Sequence, residues 1–233
     1  MSKNSVKTKT TDVDYAETAV PQEGRRGFVT MFMIMLGFTF FSASMWAGQE
    51  MAAGLDFWGF VKALILGGVI LGIYTGLLGY VGAKTGLSMD LLARKAFGER
   101  GSCISSAMIS FTQIGWFGVG VAMFALPVSK ELLGGSEVAM WILVILAGGC
   151  MTASAYFGIE SLTVISYIAV PLVGILGTVA MVMAVSRGDG TIIDQFAVSS
   201  GSLTVVGGAG LVIGSFVSGG TATPNFTRFA KDA

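Results

Sequence analysis

Six uncharged and mostly apolar stretches follow one another along the chain. Each is longer than the roughly 20 residues that a helix needs to cross a hydrocarbon core about 30 Å thick. None shows the strict alternation of a membrane strand, so the pattern predicts helices. The stretches, bounded by Asp, Glu, Lys or Arg, are Gly27–Gln49, Ala63–Ala83, Gly101–Ser129, Val138–Ile159, Ser161–Ser186 and Gln195–Thr227. The sequence therefore predicts an all-α, multi-pass membrane protein.

The segments between the stretches predict the organisation and the orientation of the chain. Residues 1–26 are polar and predict a disordered tail. Residues 27–186 hold five spans, with an amphipathic surface helix at 87–98. Residues 187–201 form a loop on the opposite side, and 202–233 hold span six and its end. Eleven of the fourteen Lys and Arg residues lie on the side of the N-terminus. This bias predicts a cytoplasmic N-terminus, tail and surface helix, and an extracellular or periplasmic loop.

Composition and charge exclude several classes of protein. Apolar residues make up 53% of the chain and charged residues 12%, with a mean hydropathy of +0.76. This argues against a water-soluble domain. Acidic and basic residues balance at fourteen each, so nothing favours nucleic acid as a partner. There is no His, and the two Cys lie in apolar runs, so neither a metal centre nor an enzyme is predicted, and no cofactor.

Span six carries the strongest candidate site. Two glycines and a proline, Gly219, Gly220 and Pro224, interrupt an otherwise apolar segment and favour a broken helix. Irregular backbone at membrane depth is tolerated where protein or a water-filled cavity satisfies it, and transporters bind substrates at such breaks. Phe216 and Ser218 stand just before this predicted break.

Two other spans add candidate polar groups. Ser42 follows two phenylalanines in span one, and Gln113 precedes Trp116 by three residues in span three, which places both on one helical face. The alternatives are hydroxyls that bond their own helix and an amide that bonds a neighbouring one. None of the six stretches contains a charged residue or His, so the predicted pocket is neutral and suits a small, flat, hydrogen-bonding molecule. In span two, Gly68, Gly72 and Gly76 predict a face for helix packing.

Several longer strings resemble the nucleobase:cation symporter family of the purine-cytosine permease type, as found in bacteria. The resemblance runs from Gly27 to Phe229. The strings that carry it are Gly37–Trp46, Gly79–Gly86, Thr112–Phe124, Ile165–Pro171 and Gly214–Thr221.

The resemblance implies a fold, a transport reaction and site residues. The fold is the LeuT type with two inverted five-helix repeats, of which this chain supplies the first repeat and helix six. The reaction is symport of cytosine with sodium across the bacterial inner membrane by alternating access. Gln113 is then expected to bond the base, Trp116 and Phe216 to sandwich it, and Ser42 and Ser218 to add polar contacts. Sodium is expected at the backbone carbonyls of Gly37 and Phe40.

The length of the chain and its motifs leave several alternative functions to consider. Family members are about twice as long, so we expect an N-terminal fragment that does not transport by itself. The pocket also suits uracil, purines or hydantoins, because each presents a flat polar edge. A six-helix channel of the aquaporin kind fits the length, but no Asn-Pro-Ala motif occurs. A half-transporter that dimerises in antiparallel fashion is disfavoured by the charge bias.

Overall fold

The computed structural model describes residues 15–187, 196 and 201–233, and these form a bundle of helices. A short 3-10 helix at Gln22–Gly24 precedes the bundle. The α-helices, numbered in chain order, are α1 Phe28–Thr39, α2 Ser42–Gly54, α3 Phe57–Thr85, α4 Met89–Leu132, α5 Glu137–Tyr156, α6 Gly158–Arg187, α7 Val205–Thr221 and α8 Pro224–Thr227. Most of the predicted loop at 187–201 lies outside the described residues.

Length and composition confirm the prediction of a multi-pass, all-helical membrane protein. Five helical segments are long and apolar enough to cross a membrane, namely α3, α4, α5, α6 and α7 together with α8. The bent pair of α1 and α2 makes a sixth. Many large apolar side chains on these helices are exposed, as expected for surfaces that face lipid.

The first span is interrupted after Thr39. The amide of Phe41 donates to the carbonyl of Thr39 at 2.9 Å, so it does not bond Gly37 four residues earlier, as a regular helix requires. Phe41 has extended backbone angles, and α2 starts at the next residue. The two halves, Phe28–Thr39 and Ser44–Gly54, lie at 50° to one another. The span is therefore two half-helices that meet at Phe40 and Phe41.

The break expected in the sixth span at Gly219, Gly220 and Pro224 is reduced to one tightened turn. Gly219 and Gly220 lie within α7, which continues to Thr221, and Ala222 and Thr223 keep right-handed helical backbone angles, with the amides of Ala222 and Thr223 donating to the carbonyls of Gly219 and Gly220. Pro224 then occupies the first turn of α8, where its missing N–H costs nothing. The two glycines remain helical because α3 and Phe38 pack directly against them. The break is correspondingly mild.

Helices α3 and α7 pack closely through glycines on both helices. A methyl group added to Gly67 would lie 2.7 Å from Cβ of Val212 and 2.9 Å from the carbonyl oxygen of Ala209. From the other side, a methyl on Gly208 would lie 2.9 Å from Cβ of Ala63. Glycine at these positions allows the two backbones to approach closely.

The predicted glycine face of span two is wrong in its register. Among the described residues, nothing lies within 4 Å of the Cβ positions of Gly68, Gly72 or Gly76. The packed face instead carries Gly67, Gly79 and the helix positions near them. Two glycine rows run along this helix, and sequence spacing alone does not show which row meets a neighbour.

The prediction of a disordered tail is wrong for residues 15–26. Val20 is buried, and its amide donates to the carbonyl of Gly86 at 2.9 Å. Arg25 donates through Nη1 to the carbonyl oxygen of Ala83 at 2.8 Å. Arg26 exchanges backbone hydrogen bonds with Phe229 and Lys231. The segment is thus fixed across the ends of α3 and α8, while residues 1–14 lie outside the described part.

The predicted surface helix at 87–98 is present as the start of α4. Ser88 caps it through a side-chain bond from the amide of Leu91, so it begins at Met89. Gly98 then adopts a left-handed φ of 71°, which divides this first segment from the long membrane-spanning part. Glycine tolerates that conformation without strain.

Candidate functional site

A cavity of about 220 Å³ lies where the first, third, fourth and sixth spans meet. It contains four of the residues that the sequence singled out for binding, namely Gln113, Trp116, Phe216 and Ser218. Gly219 also lines it. The remaining wall residues are Phe38, Phe41, Phe117, Met151 and Ser215. This space, called the central cavity below, is mostly apolar with a few polar groups, as is usual for small-molecule sites.

The polar groups of the central cavity come from α4 and α7. Gln113 donates through Nε2 to the backbone carbonyl of Ser218 at 3.4 Å, a long hydrogen bond. A carboxamide has two N–H donors and a carbonyl acceptor, so it retains capacity for a ligand. The hydroxyl of Ser218 is buried and has no hydrogen-bond partner among the described residues. Since an unpaired buried hydroxyl costs roughly 1–3 kcal/mol, a ligand that bonds it gains that free energy.

Aromatic rings form the walls on two sides of the central cavity. Trp116 on α4 meets Phe41 edge to face, with 5.5 Å between ring centroids and 81° between planes. Phe216 on α7 packs against Phe38 of α1, with centroids 5.3 Å apart. Trp116 and Phe216 therefore line the cavity from different helices, each held by a phenylalanine of the interrupted first span. Flat rings bind well against such faces.

Ser42, Gly37 and Phe40 lie around the interruption of span one. Ser42 starts α2, and its side chain lies outside the part of the chain that the structure describes. Gly37 and Phe40 line a second cavity of about 340 Å³, between α1 and α6. A methyl on Gly37 would lie 3.2 Å from Oγ of Ser166 on α6. The structure thus places the two expected sodium carbonyls beside the central cavity rather than in its wall.

Pro224 is buried under α3 and does not line the central cavity. A methyl on Gly82 of α3 would lie 2.8 Å from Cα of Pro224. The proline therefore fixes the start of α8, and Gly219 is the residue of the expected break that faces the site.

One charged residue lies nearer the site than the sequence pattern indicated. Glu50 directly follows the uncharged stretch of span one and lies on the same helix, because α2 continues to Gly54. Glu50 lines an outer cavity of about 330 Å³ together with Trp46. That cavity shares Trp116 and Ser215 with the central one, but Glu50 does not line the central cavity itself. The central cavity remains neutral in its described part.

Sequence reasoning missed five wall residues of the central cavity, namely Phe38, Phe41, Phe117, Met151 and Ser215. Phe38, Phe41 and Met151 are apolar side chains within apolar spans, so neither charge nor polarity distinguishes them from lipid-facing neighbours. Phe38 and Phe41 lie within four residues of Ser42, and their closeness to this candidate residue was the only available signal.

Comparison with known proteins identifies a family. Residues 19–233 match the family model described as permease for cytosine/purines, uracil, thiamine and allantoin. Cytosine permease of Escherichia coli (strain K12) is 44% identical over 222 residues, which are 95% of this chain and 52% of that relative. The cytosine permeases of E. coli O6:H1 and O157:H7 match over the same share at 44% identity. The chain spans about half the length of these relatives.

Proposed function

We propose a function that starts from one fact: the chain belongs to the family of permeases for cytosine/purines, uracil, thiamine and allantoin. We infer that it supplies the base-binding site of a transporter in the bacterial inner membrane, which takes up cytosine together with sodium. The reaction is symport by alternating access rather than catalysis. The N-terminus faces the cytoplasm, because most Lys and Arg residues lie on that side of the spans.

The proposed fold is of the LeuT type. In it, the helices of this chain form the first five-helix repeat and helix six, and the two interrupted spans are the first helix of each repeat. The support is the interruption of span one at Phe40 and Phe41 and the tightened turn of span six at Ala222 and Thr223, five spans apart. Phe41 lines the central cavity, and so do Ser218 and Gly219, which lie about one turn before Ala222.

The observation that carries the proposal is the convergence of an amide, a buried unpaired hydroxyl and two aromatic walls on one neutral cavity. Cytosine is a neutral, flat ring whose edge carries both donors and acceptors. We propose that the ring lies between Trp116 and Phe216, that Gln113 bonds its edge, and that Ser218 supplies a hydroxyl. Ser42, at the start of α2, is proposed as a further polar contact.

We further propose that sodium binds at the end of α1, through the backbone carbonyls of Gly37 and Phe40. Sodium is a hard cation and prefers oxygen ligands, which interrupted membrane helices provide through carbonyls released from regular pairing. The amide of Phe41 bonds Thr39 and that of Ser44 bonds Phe41, so neither serves Gly37 or Phe40. Two carbonyls form only part of a coordination shell, and the complete shell needs further oxygen ligands.

Uptake of radiolabelled cytosine tests the proposal. Cells that express the complete gene should accumulate the base in sodium buffer and lose at least nine-tenths of the uptake in choline buffer. Gln113→Ala should reduce uptake by at least tenfold, because a site built for a polar edge rejects ligands when its partner is removed. Gln49→Ala provides the matched control, since Gln49 is an exposed amide on α2. Uptake that is equal in both variants and in both buffers contradicts the proposal.

Competition distinguishes cytosine from the other bases that the cavity fits. Unlabelled uracil, adenine and hydantoin, each at a hundredfold excess, should leave most cytosine uptake intact. If one of them inhibits uptake more strongly than unlabelled cytosine does, the site prefers that heterocycle, and the proposed transport mechanism still holds.

A further inference from the structure

Three further cavities in the described part of the chain share wall residues with the central cavity or with one another. The outer cavity, which contains Glu50, shares Trp116 and Ser215 with the central cavity. The central cavity shares Phe38 and Phe41 with the cavity between α1 and α6. These three spaces are therefore neighbours, and the shared side chains divide them.

The fourth cavity adjoins the cavity between α1 and α6 on the side of the N-terminus. It has a volume of about 250 Å³ and shares Leu162 and Phe226 with the cavity between α1 and α6. Its polar wall residues are Ser88, Asp90, Asn225 and Arg228. This space, called the inner chamber below, lies beneath the segment of residues 15–26 that crosses the bundle.

Polar side chains in the inner chamber are held in place by hydrogen bonds within the chain. Asn225 accepts a hydrogen bond from the amide of Met89 at 2.8 Å. Arg228 is buried and donates through Nη1 to the carbonyl of Tyr15 at 2.8 Å. Asp90 accepts a bond from the hydroxyl of Ser106. The chamber thus presents an amide, a guanidinium and a carboxylate, which together match the donors and acceptors at the edge of a neutral base.

Two aromatic side chains, Phe38 and Phe41, lie between the central cavity and the cavity between α1 and α6, and Phe38 is the one that also packs on the sixth span. The ring of Phe38 lies 5.3 Å from that of Phe216 and 4.5 Å from that of Phe226, measured between centroids. Its Cζ also lies 3.2 Å from the Cβ position of Gly219. A base that leaves the central cavity in this direction must displace the ring.

The position of Phe38 in its helix makes that displacement feasible. It lies in the last turn of α1, directly before the interruption at Phe40 and Phe41. A change of a few backbone angles there would shift the last turn of α1, together with the contact that Gly37 makes with Ser166 on α6, as in hinges formed at the ends of elements. The ring therefore lies directly beside the interruption of span one.

We propose that Phe38, packed between Phe216 and Phe226, is the inner gate of the transport path. The inner chamber beyond it, lined by Asp90, Asn225 and Arg228, receives the neutral base on release. This inference rests on the proposed function, since it assumes that the central cavity binds a nucleobase. It assigns a second, weaker base-binding space to residues outside the central cavity.

Efflux from proteoliposomes that contain the complete gene product tests the gate. Vesicles are loaded with radiolabelled cytosine and diluted into base-free, sodium-free buffer. Phe38→Ala should raise the rate of efflux at least fivefold, and Phe38→Leu should give an intermediate rise. Phe32→Ala is the matched control, because Phe32 lies on the same helix with 52% of its surface exposed and packs on Phe28. It should leave efflux within twofold of the wild type.

Thiol labelling reports on the gate without relying on transport. Ser215→Cys is introduced after Cys103 and Cys150, both exposed, are replaced by Ser. A membrane-impermeant maleimide applied from the cytoplasmic side should label this cysteine at least fivefold faster with Phe38→Ala than with Phe32→Ala. Equal labelling and equal efflux in the two variants would overturn the gate. Wild-type protein that fails to bind cytosine would instead overturn the proposed function.

The maximal rate of transport tests the inner chamber. Asp90→Asn keeps the shape of the side chain but removes its charge, so release should slow and the maximal rate fall two- to fivefold. The KM for external cytosine should stay within twofold, since Asp90 does not line the central cavity. Glu99→Gln, an exposed change on the same helix, should alter neither value. An unchanged maximal rate in Asp90→Asn contradicts the release chamber.

Discussion

The two faces of helix α7 differ in how completely they are packed. Toward α3, glycines on both helices bring the backbones so close that no added methyl group fits at Gly67 or Gly208. Toward α1 and α4, the same helix leaves a cavity of about 220 Å³ and a buried hydroxyl, on Ser218, that lacks a partner among the described residues. One face is closely packed within the chain, and the other leaves space for a ligand.

This difference explains how α7 can hold a fixed position in the bundle and also contribute side chains to a binding site. The closed face fixes the position of α7, so that Phe216 and Ser218 are held ready on the opposite side. Binding to a prepared site costs less ordering than binding to a mobile one. The comparison predicts that changes on the closed face alter stability and changes on the open face alter affinity.

The largest effect is expected at the closed face. Gly67→Val places a branched side chain against Val212 and a backbone carbonyl, which should cost about 3 kcal/mol or more. We expect a severe loss of folded protein, measured by fluorescence-detected size-exclusion chromatography. Gly68→Val, one residue further and in open space, should give a yield close to that of the wild type. Equal yields of folded Gly67→Val and Gly68→Val protein would show that the contact between α3 and α7 has room for a side chain at Gly67.

A neighbouring pair of glycines sharpens the comparison. A methyl on Gly220 would lie 2.5 Å from Cγ2 of Thr75, whereas a methyl on Gly219 meets ring atoms of Phe38 and Phe216 at 3.2 and 3.3 Å. Both alanine variants share the same gain in helix propensity. Gly220→Ala should therefore be about 1–3 kcal/mol less stable than Gly219→Ala in thermal unfolding.

The affinity for cytosine should change in the opposite order in the Gly219→Ala and Gly220→Ala variants. Gly219→Ala narrows the central cavity and should weaken cytosine binding, measured by equilibrium dialysis of the purified protein. Gly220→Ala, on the other face, should retain the wild-type dissociation constant. If one of the two variants lost both stability and affinity while the other lost neither, the distinction between the two faces of α7 would be contradicted.

The smallest effect is expected at the buried hydroxyl. Ser218→Ala should weaken cytosine binding about three- to tenfold, equivalent to about 1 kcal/mol for one hydrogen bond. Its melting temperature should not fall, because the hydroxyl has no partner to lose. Ser186→Ala is the control, since that exposed hydroxyl lies outside the central cavity and already bonds the carbonyl of Met183 at 3.1 Å. A lower melting temperature in Ser218→Ala would indicate an interaction within the protein.

The sequence pattern predicted the spans well because charge marks where a helix leaves the membrane. Gln113, Trp116 and Ser218 could be found for a related reason, since an amide, an indole and a hydroxyl are each unusual at membrane depth. Phe38 and Phe41 could not be found, because an aromatic ring in an apolar span has the same appearance whether it faces a ligand or lipid.

Features that depend on tertiary contact were the ones predicted wrongly. The glycine row that contains Gly67 packs on α7, whereas the row that contains Gly68 does not. Gly219 and Gly220 are helical, with Phe38 and α3 packed against them, although glycine has a low helix propensity. The order of residues 15–26 likewise depends on carbonyls at the ends of α3 and α8 that Arg25 reaches. These are contacts between positions far apart in the chain.

Cytosine binding by the purified protein with single tryptophan replacements tests the central claim most directly. If the base stacks on Trp116 in the central cavity, Trp116→Ala should weaken binding roughly 10- to 100-fold, as base stacking worth about 1–3 kcal/mol implies. Trp141→Ala, which changes an exposed indole on α5 outside that cavity, should leave the dissociation constant unchanged. Equal affinity in the two variants would contradict the account.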